Sequence, residues 1–393
     1  MRFIKNWLNT LNISWEAFRE VILLPFIITR TCWILVAYFV ANNYVSNPTY
    51  AKYFDRGFFL TRIFPIDVFT RWDSAAYLSI IKNGYVPSID IKTVFSNIPF
   101  FPLYPYLVKS IGWLGLQISD GFYVAFGVIL SNILFLASAL LLYRLVICDL
   151  NFSEKTARQT LGLLFVFPTS FMFASFYTES LFLFLALLSF TFAINKSWVA
   201  AAICAGLILI TRIQGIVVWG IAVFTYLVMK KWDFRKIDRN FIWLILSPVG
   251  LVLHLFHLYK ITGYVLAPYQ AQAAWGRSDS GFLTNIGLNL NSAYLDVFKI
   301  DFLLVIFFIF ASIYILLKWP NKSYGLLAVS LCVLPLISGS LISIGRFLLV
   351  VFPVFILMGE RIKRPDLYDA VRTILFTLQI IYFSGWVNYY WIA

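Results

Sequence analysis

The sequence is poor in charge. Of 393 residues, only 12% are Asp, Glu, Lys or Arg, against about a quarter in soluble domains. That excludes a water-facing surface over most of the chain. Histidine is scarcer still, with His254 and His257 the only two. The four cysteines, Cys32, Cys148, Cys204 and Cys332, are scattered, three of them in apolar runs, and form no Cys-x-x-Cys. A disulfide framework and a cysteine zinc site are both excluded. There is no long-period repeat and no low-complexity segment. The opening stretch MRFIKNWLNTLNISWEAFRE is basic and amphipathic and lacks a small-residue cleavage site. Residues 1–20 read as a retained cytoplasmic segment.

What is abundant is apolar: 61% of residues are hydrophobic, including 40 Phe, 22 Tyr and 13 Trp. A bilayer crossing takes about 20 apolar residues. Eleven stretches approach that length, near 21–40, 121–143, 158–175, 179–195, 198–212, 214–229, 241–260, 302–318, 324–339, 346–360 and 369–389. The expectation is one all-α polytopic membrane domain over 1–393. Its first outer loop, 44–116, carries short amphipathic helices, and a second large outer loop covers 262–300. The net charge of +13 would suggest nucleic acid in a soluble chain. Here no basic stripe lies on a soluble face, so nucleic acid is excluded and the charge is topogenic. With the N-terminus inside and the spans alternating, 18 Lys and Arg fall on the cytoplasmic side and 12 outside, with Arg30 inside the first span. The KKWDFRKIDR and RIKR loops dominate the bias.

That orientation places the unusual polar groups on one side: Arg71-Trp72-Asp73, Glu179, Arg212, the segment with Gln272, Trp275 and Arg277, and Arg346. Ionisable groups at membrane depth are costly and point to function. Each also has a structural reading. Glu179 and Arg212 can form a structural ion pair, and Arg346 can snorkel to the headgroups. Arg30 lies deeper and needs a carbonyl or carboxylate partner. Arginines grip phosphate through paired, charge-assisted bonds, and a carboxylate can deprotonate a sugar hydroxyl. Together they suit sugar transfer from a polyprenyl phosphate. A helix starting at Asp73 puts Asp73 and Tyr77 on one face, as a short amphipathic helix on the membrane with the acid at its favoured N-terminus. Gly84 ends it.

The pattern RWDxxxYLxIxxxGY over 71–85, followed by FFPLYP at 100–105, resembles the PIG-V mannosyltransferases, GT-C enzymes that include GPI mannosyltransferase 2. Further likenesses are Tyr177-Thr178-Glu179-Ser180-Leu181-Phe182, Thr211-Arg212-Ile213-Gln214-Gly215, Gln272 to Arg277, and Gly345-Arg346-Phe347 with Pro353. Ile213-Gln214 departs from the Ser-Asn of eukaryotic members, so no role is carried to Gln214. The resemblance implies a GT-C-like fold and a dolichyl or polyprenyl phosphate mannose donor. It also implies a glycan or glycolipid acceptor beyond the cytoplasm and Asp73 as catalytic base.

On this reading Arg212, Arg346 and Arg277 hold the donor phosphate. Arg71, Glu179 and Gln272 orient substrate, and Trp72, Tyr77 and Trp275 meet sugar faces. The style of the 263–277 loop places the enzyme in a prokaryotic cell membrane with its site outward, or in the ER membrane of a eukaryote. No cofactor is expected. A metal held by His254 and His257 with a carboxylate stands against interhelical hydrogen bonding by the same pair. The competing function is a lipid-linked sugar flippase. Transporters place charges near the midplane and often carry paired repeats; here the charges lie at one face and no repeat is present.

Overall fold

A computed structural model describes residues 13–51, 57–87, 90–91, 94–114, 118–275, 295–337 and 343–392. The chain is all-α. Among the described residues, five helices are long and apolar enough to cross a membrane: α1 (Trp15–Asn43), α4 (Asp120–Asp149), α9 (Arg239–Thr262), α10 (Leu295–Lys318, apolar from Ile300) and α14 (Pro365–Val387). Between the first two lie α2 (Asp73–Asn83) and α3 (Leu103–Lys109). The rest of the bundle is α5 (Glu154–Val166), α6 (Glu179–Ile194), α7 (Trp198–Leu209), α8 (Gly215–Met229), α11 (Lys322–Ile337), α12 (Ile344–Leu348) and α13 (Phe352–Arg361).

Eleven crossings were expected; among the described residues five helices have the full length, and four more (α6, α7, α8 and α11) are shorter apolar helices. Two expected spans are broken. The 158–175 stretch stops at Val166, because Pro168 can neither donate nor continue the helix. A turn of 3-10 helix, Ser170–Ala174, follows. The freed carbonyls are reclaimed. Gln379 of α14, fully buried, donates to Phe165 O and Phe167 O at 3.0 and 2.8 Å. Ser170 donates to Leu164 O. Lipid offers a freed carbonyl no donor, so this repair is what allows the break. The 346–360 stretch likewise splits into α12 and α13, the latter with Pro353 in its first turn.

α6 is the hub. It is apolar on nearly every face and buried along almost its whole length, as a helix surrounded by others must be. It packs on α4, α7 and α8, while α5 packs on α13 and α14 on α1. Outward faces stay apolar: Leu35, Ile133 and Phe310 are all more than half exposed. Lipid tails are as apolar as these side chains, so close packing and polar bonds hold the bundle together. Arg30 shows how. It was expected to need a carbonyl or carboxylate. The partner is the side-chain carbonyl oxygen of Asn132, to which it donates at 3.0 Å, and its guanidinium also stacks over Phe26, Trp33 and Phe135.

α2 was expected as a helix lying on the membrane. Its limits are as anticipated, from Asp73 to a stop at Gly84, whose φ is +72°. Its packing is not: Ile80 and Ile81 are buried at 0% and 1% exposure, so its apolar face is spent on protein. The α10–α11 hairpin is closely packed: a Cβ on Gly325 would collide with the Leu316 backbone. Gly325→Leu is therefore expected to cost about 1–3 kcal/mol or more. Gly220→Ala, with open space around it, should be neutral to slightly stabilising. Apparent melting temperature in detergent checks both.

Candidate active site

Three helix ends meet at one level of the bundle. Glu179 opens α6. Arg212 lies in the turn between α7 and α8, and Arg346 lies on α12. Asp73 opens α2 beside them. Both acids occupy helix N-termini, where the dipole favours negative charge. Arg346 Nη1 donates to Asp73 Oδ2 at 2.7 Å, and its Nε lies 3.8 Å from Glu179 Oε1. Arg212 Nη1 donates to the same Glu179 oxygen. Asp73–Arg346–Glu179–Arg212 is thus a continuous chain of two acids and two arginines with no formal net charge. Asp73 and Glu179 are buried, and the arginine side chains are 11% exposed. Neutrality makes such burial tolerable; removing one member of a buried pair costs roughly 3–5 kcal/mol. Two groups still lack partners among the described residues: Glu179 Oε2 and Arg346 Nε are buried without a hydrogen bond.

Aromatic rings wall the cluster. The Arg346 guanidinium lies 5.3 Å from the Tyr177 ring and 5.4 Å from Phe347, and Arg212 lies 4.9 Å from Phe347. The turn carrying Arg212 is tied to the FFPLYP segment, since Leu103 N donates to Ile210 O at 3.0 Å. Behind Arg346, Thr169 Oγ1 donates to Gly345 O at 2.9 Å. Asp301 accepts from Tyr382 and from the Gly345 backbone. A Cβ on Gly345 would press on that carboxylate at 2.9 Å, so glycine is required beside Arg346.

The Arg71–Ser74 turn is strained. Arg71 O accepts from Ser74 N at 3.1 Å, closing a four-residue turn. Trp72, at its first central position, has φ 50° and ψ −107°, the type II′ conformation that calls for glycine. Holding a side chain there costs on the order of 1–3 kcal/mol.

Other expected site residues are placed differently. Arg71 was expected to meet substrate, but it is 3% exposed and paired with Asp67 at 2.9 Å, with its guanidinium 4.2 Å over the Tyr389 ring. Asp67 also accepts from the backbone N–H of Phe59, Leu60 and Thr61. This pair builds the loop. Tyr77 was expected against a sugar face and is instead 5% exposed among Phe100, Tyr104, Phe176 and Tyr177. Burial, then the charges of Asp73 and Glu179, raise its phenol above the ordinary range, so it stays protonated. The Trp72 ring faces Tyr50 and Trp391 at 4.7 and 4.8 Å. Gln272 is partly buried on the one-turn helix Ala271–Trp275, which Trp275 ends. Arg277 lies outside the described residues.

The histidines meet aromatic rings: His254 faces Tyr85 and Phe101, and His257 faces Tyr85. No group of three potential metal ligands occurs among the described residues. Composition alone did not single out Asp67, Asp301 or Thr169. For Asp67 a signal existed, an acid four residues before Arg71 on one helical turn.

The fold is GT-C-like. It is similar to the crystal structure of ArnT from Cupriavidus metallidurans bound to undecaprenyl phosphate, with a TM-score of 0.51 and 14% identity over 91% of this chain. It also matches the apo Archaeoglobus fulgidus oligosaccharyltransferase, with a TM-score of 0.49 and 12% identity over 93% of the chain. The chain spans 63% and 56% of the lengths of those two structures. No protein family matches the sequence, and no curated protein does.

The Asp67–Arg71 pair yields a prediction separate from the charged cluster. Asp67→Ala should cost about 3–5 kcal/mol, seen as a fall in thermal midpoint. Arg71→Lys in the otherwise unchanged chain should lower the midpoint too, because one ammonium cannot replace the guanidinium stacked on Tyr389.

Proposed function

We propose that this chain is a membrane glycosyltransferase that moves one hexose, mannose by the PIG-V resemblance, from a polyprenyl phosphate sugar to a glycan or glycolipid acceptor on the non-cytoplasmic face. The observation that carries the reading is the chain Asp73–Arg346–Glu179–Arg212. It draws two acids and two arginines from four distant parts of the sequence to one level of a lipid-embedded bundle. The GT-C-like fold, shared with a structure that binds undecaprenyl phosphate, supports a lipid phosphate donor.

In this reading the donor phosphate is held by Arg346 and Arg212, with Arg277 as a third contact, and Glu179 aims both arginines. At rest Arg346 occupies Asp73 Oδ2. The Asp73–Arg346 contact opens when Arg346 turns to the donor phosphate. Donor binding thus frees the base as it fills the site. Asp73 then accepts the acceptor hydroxyl proton, the acceptor oxygen attacks the anomeric carbon, and the sugar–phosphate bond breaks with its electron pair leaving on the polyprenyl phosphate. Attack opposite the departing phosphate inverts the anomeric centre. The arginines meet the charge that grows on the leaving oxygens.

The test is transfer by the reconstituted protein from synthetic polyprenyl phosphate mannose to a cell glycolipid extract. Asp73→Asn should abolish transfer while donor binding persists. Arg346→Ala should weaken donor binding at least tenfold. Full activity in Asp73→Asn would sink the base assignment, and movement of donor lipid across the membrane without a new glycosidic bond would sink the enzyme reading.

A further inference from the structure

The strained turn before Asp73 is held by one oxygen. The Tyr177 hydroxyl donates to Arg71 O at 3.0 Å and accepts from Asp73 N at 3.1 Å. These groups flank Trp72, the residue in the glycine-type conformation. The Asp73 N–H is central in the turn and at the start of α2, so neither element supplies it an acceptor. The Tyr177 ring is the surface facing the Arg346 guanidinium. One phenol thus touches both partners of the Asp73–Arg346 pair, by its oxygen on one side and its face on the other.

Tyr177 is itself deeply buried. It is 1% exposed and packs against Trp386 and Tyr77. Its carbonyl accepts from Ser131, and the preceding Phe176 N donates to Phe69 O at 3.0 Å. Ser74 Oγ donates to Phe176 O at 3.3 Å, adding a second tie from α2 to this segment. The Tyr177 oxygen therefore sits on a segment anchored outside the turn as well, through Ser131 and Trp386.

We propose that Tyr177 is a positioning residue for the transfer step. Its hydroxyl locks the strained Arg71–Ser74 turn and so fixes where the Asp73 carboxylate points, and its ring sets the Arg346 guanidinium against that carboxylate. The inference rests on Asp73 as the reacting base. The two functions of Tyr177 separate by substitution. Tyr177→Phe removes the lock and keeps the ring; Tyr177→Leu removes both. Trp72→Gly supplies a residue that adopts the turn unaided, so it should make the lock less necessary.

The experiment follows transfer from synthetic polyprenyl phosphate mannose by the full reconstituted chain, together with unfolding midpoints of the same variants in detergent. Tyr177→Phe should lower kcat at least tenfold and leave donor KM within about twofold. Tyr177→Leu should raise KM as well. In the Trp72→Gly background, Tyr177→Phe should cost less in both rate and midpoint than it does alone, a non-additivity expected of groups that share a constraint. A wild-type kcat in Tyr177→Phe, or effects of Tyr177→Phe and Trp72→Gly that simply multiply, would overturn the proposal. If Tyr177→Leu fails to fold, the single-oxygen change and the midpoint cycle still decide. Asp73→Asn separates the two readings. Transfer surviving in that variant removes the base assignment while the midpoint cycle still reports on the lock. A dead Asp73→Asn with no Tyr177–Trp72 coupling removes the lock alone.

Discussion

The site depends on one ion pair, Arg346 to Asp73, between residues 273 positions apart. In water such a contact is worth little. Among buried, weakly screened groups it governs placement, because neither charge is tolerable without the other. The surroundings follow from keeping it neutral and aimed. Glu179 balances the second arginine, Gly345 lets the chain pass Asp301 closely, and Thr169 grips the carbonyl beside Arg346. The proline break after Val166 serves the same end. It turns the chain so that Thr169 faces Gly345 rather than continuing up a helix.

Much of this was legible from residue types and charge counts. Apolar runs located the long helices, because crossing lipid demands length and apolarity. The limits of α2 were readable from Asp73 and Gly84. Charge scarcity made Asp73, Glu179, Arg212 and Arg346 conspicuous, and counting Lys and Arg put them at one level. The Glu179–Arg212 pair was among the readings the residues allowed, but the contact of Arg346 with Asp73 was not readable, since a level is one coordinate and contact needs three.

The misreadings have a common cause. Apolarity does not report whether a helix is continuous, so 158–175 and 346–360 read as spans although Pro168 and Pro353 interrupt them. Nor does residue type report which way a side chain turns. Arg71 and Tyr77 stand in the same motif as Asp73, yet the first is consumed by Asp67 and the second by a nest of aromatic rings. Within the motif, function and scaffolding alternate along the chain, and only packing tells them apart.

The last described helix and the residues after it close the loop that carries Asp73. Trp386 donates to Val68 O, the Tyr389 ring lies under Arg71, and Tyr389 donates to Gly57 O. These partners lie 318 and 332 positions from the loop residues they grip. The Asp73 loop and this segment therefore reach their final positions only together, so a change in the packing of either is felt at the other.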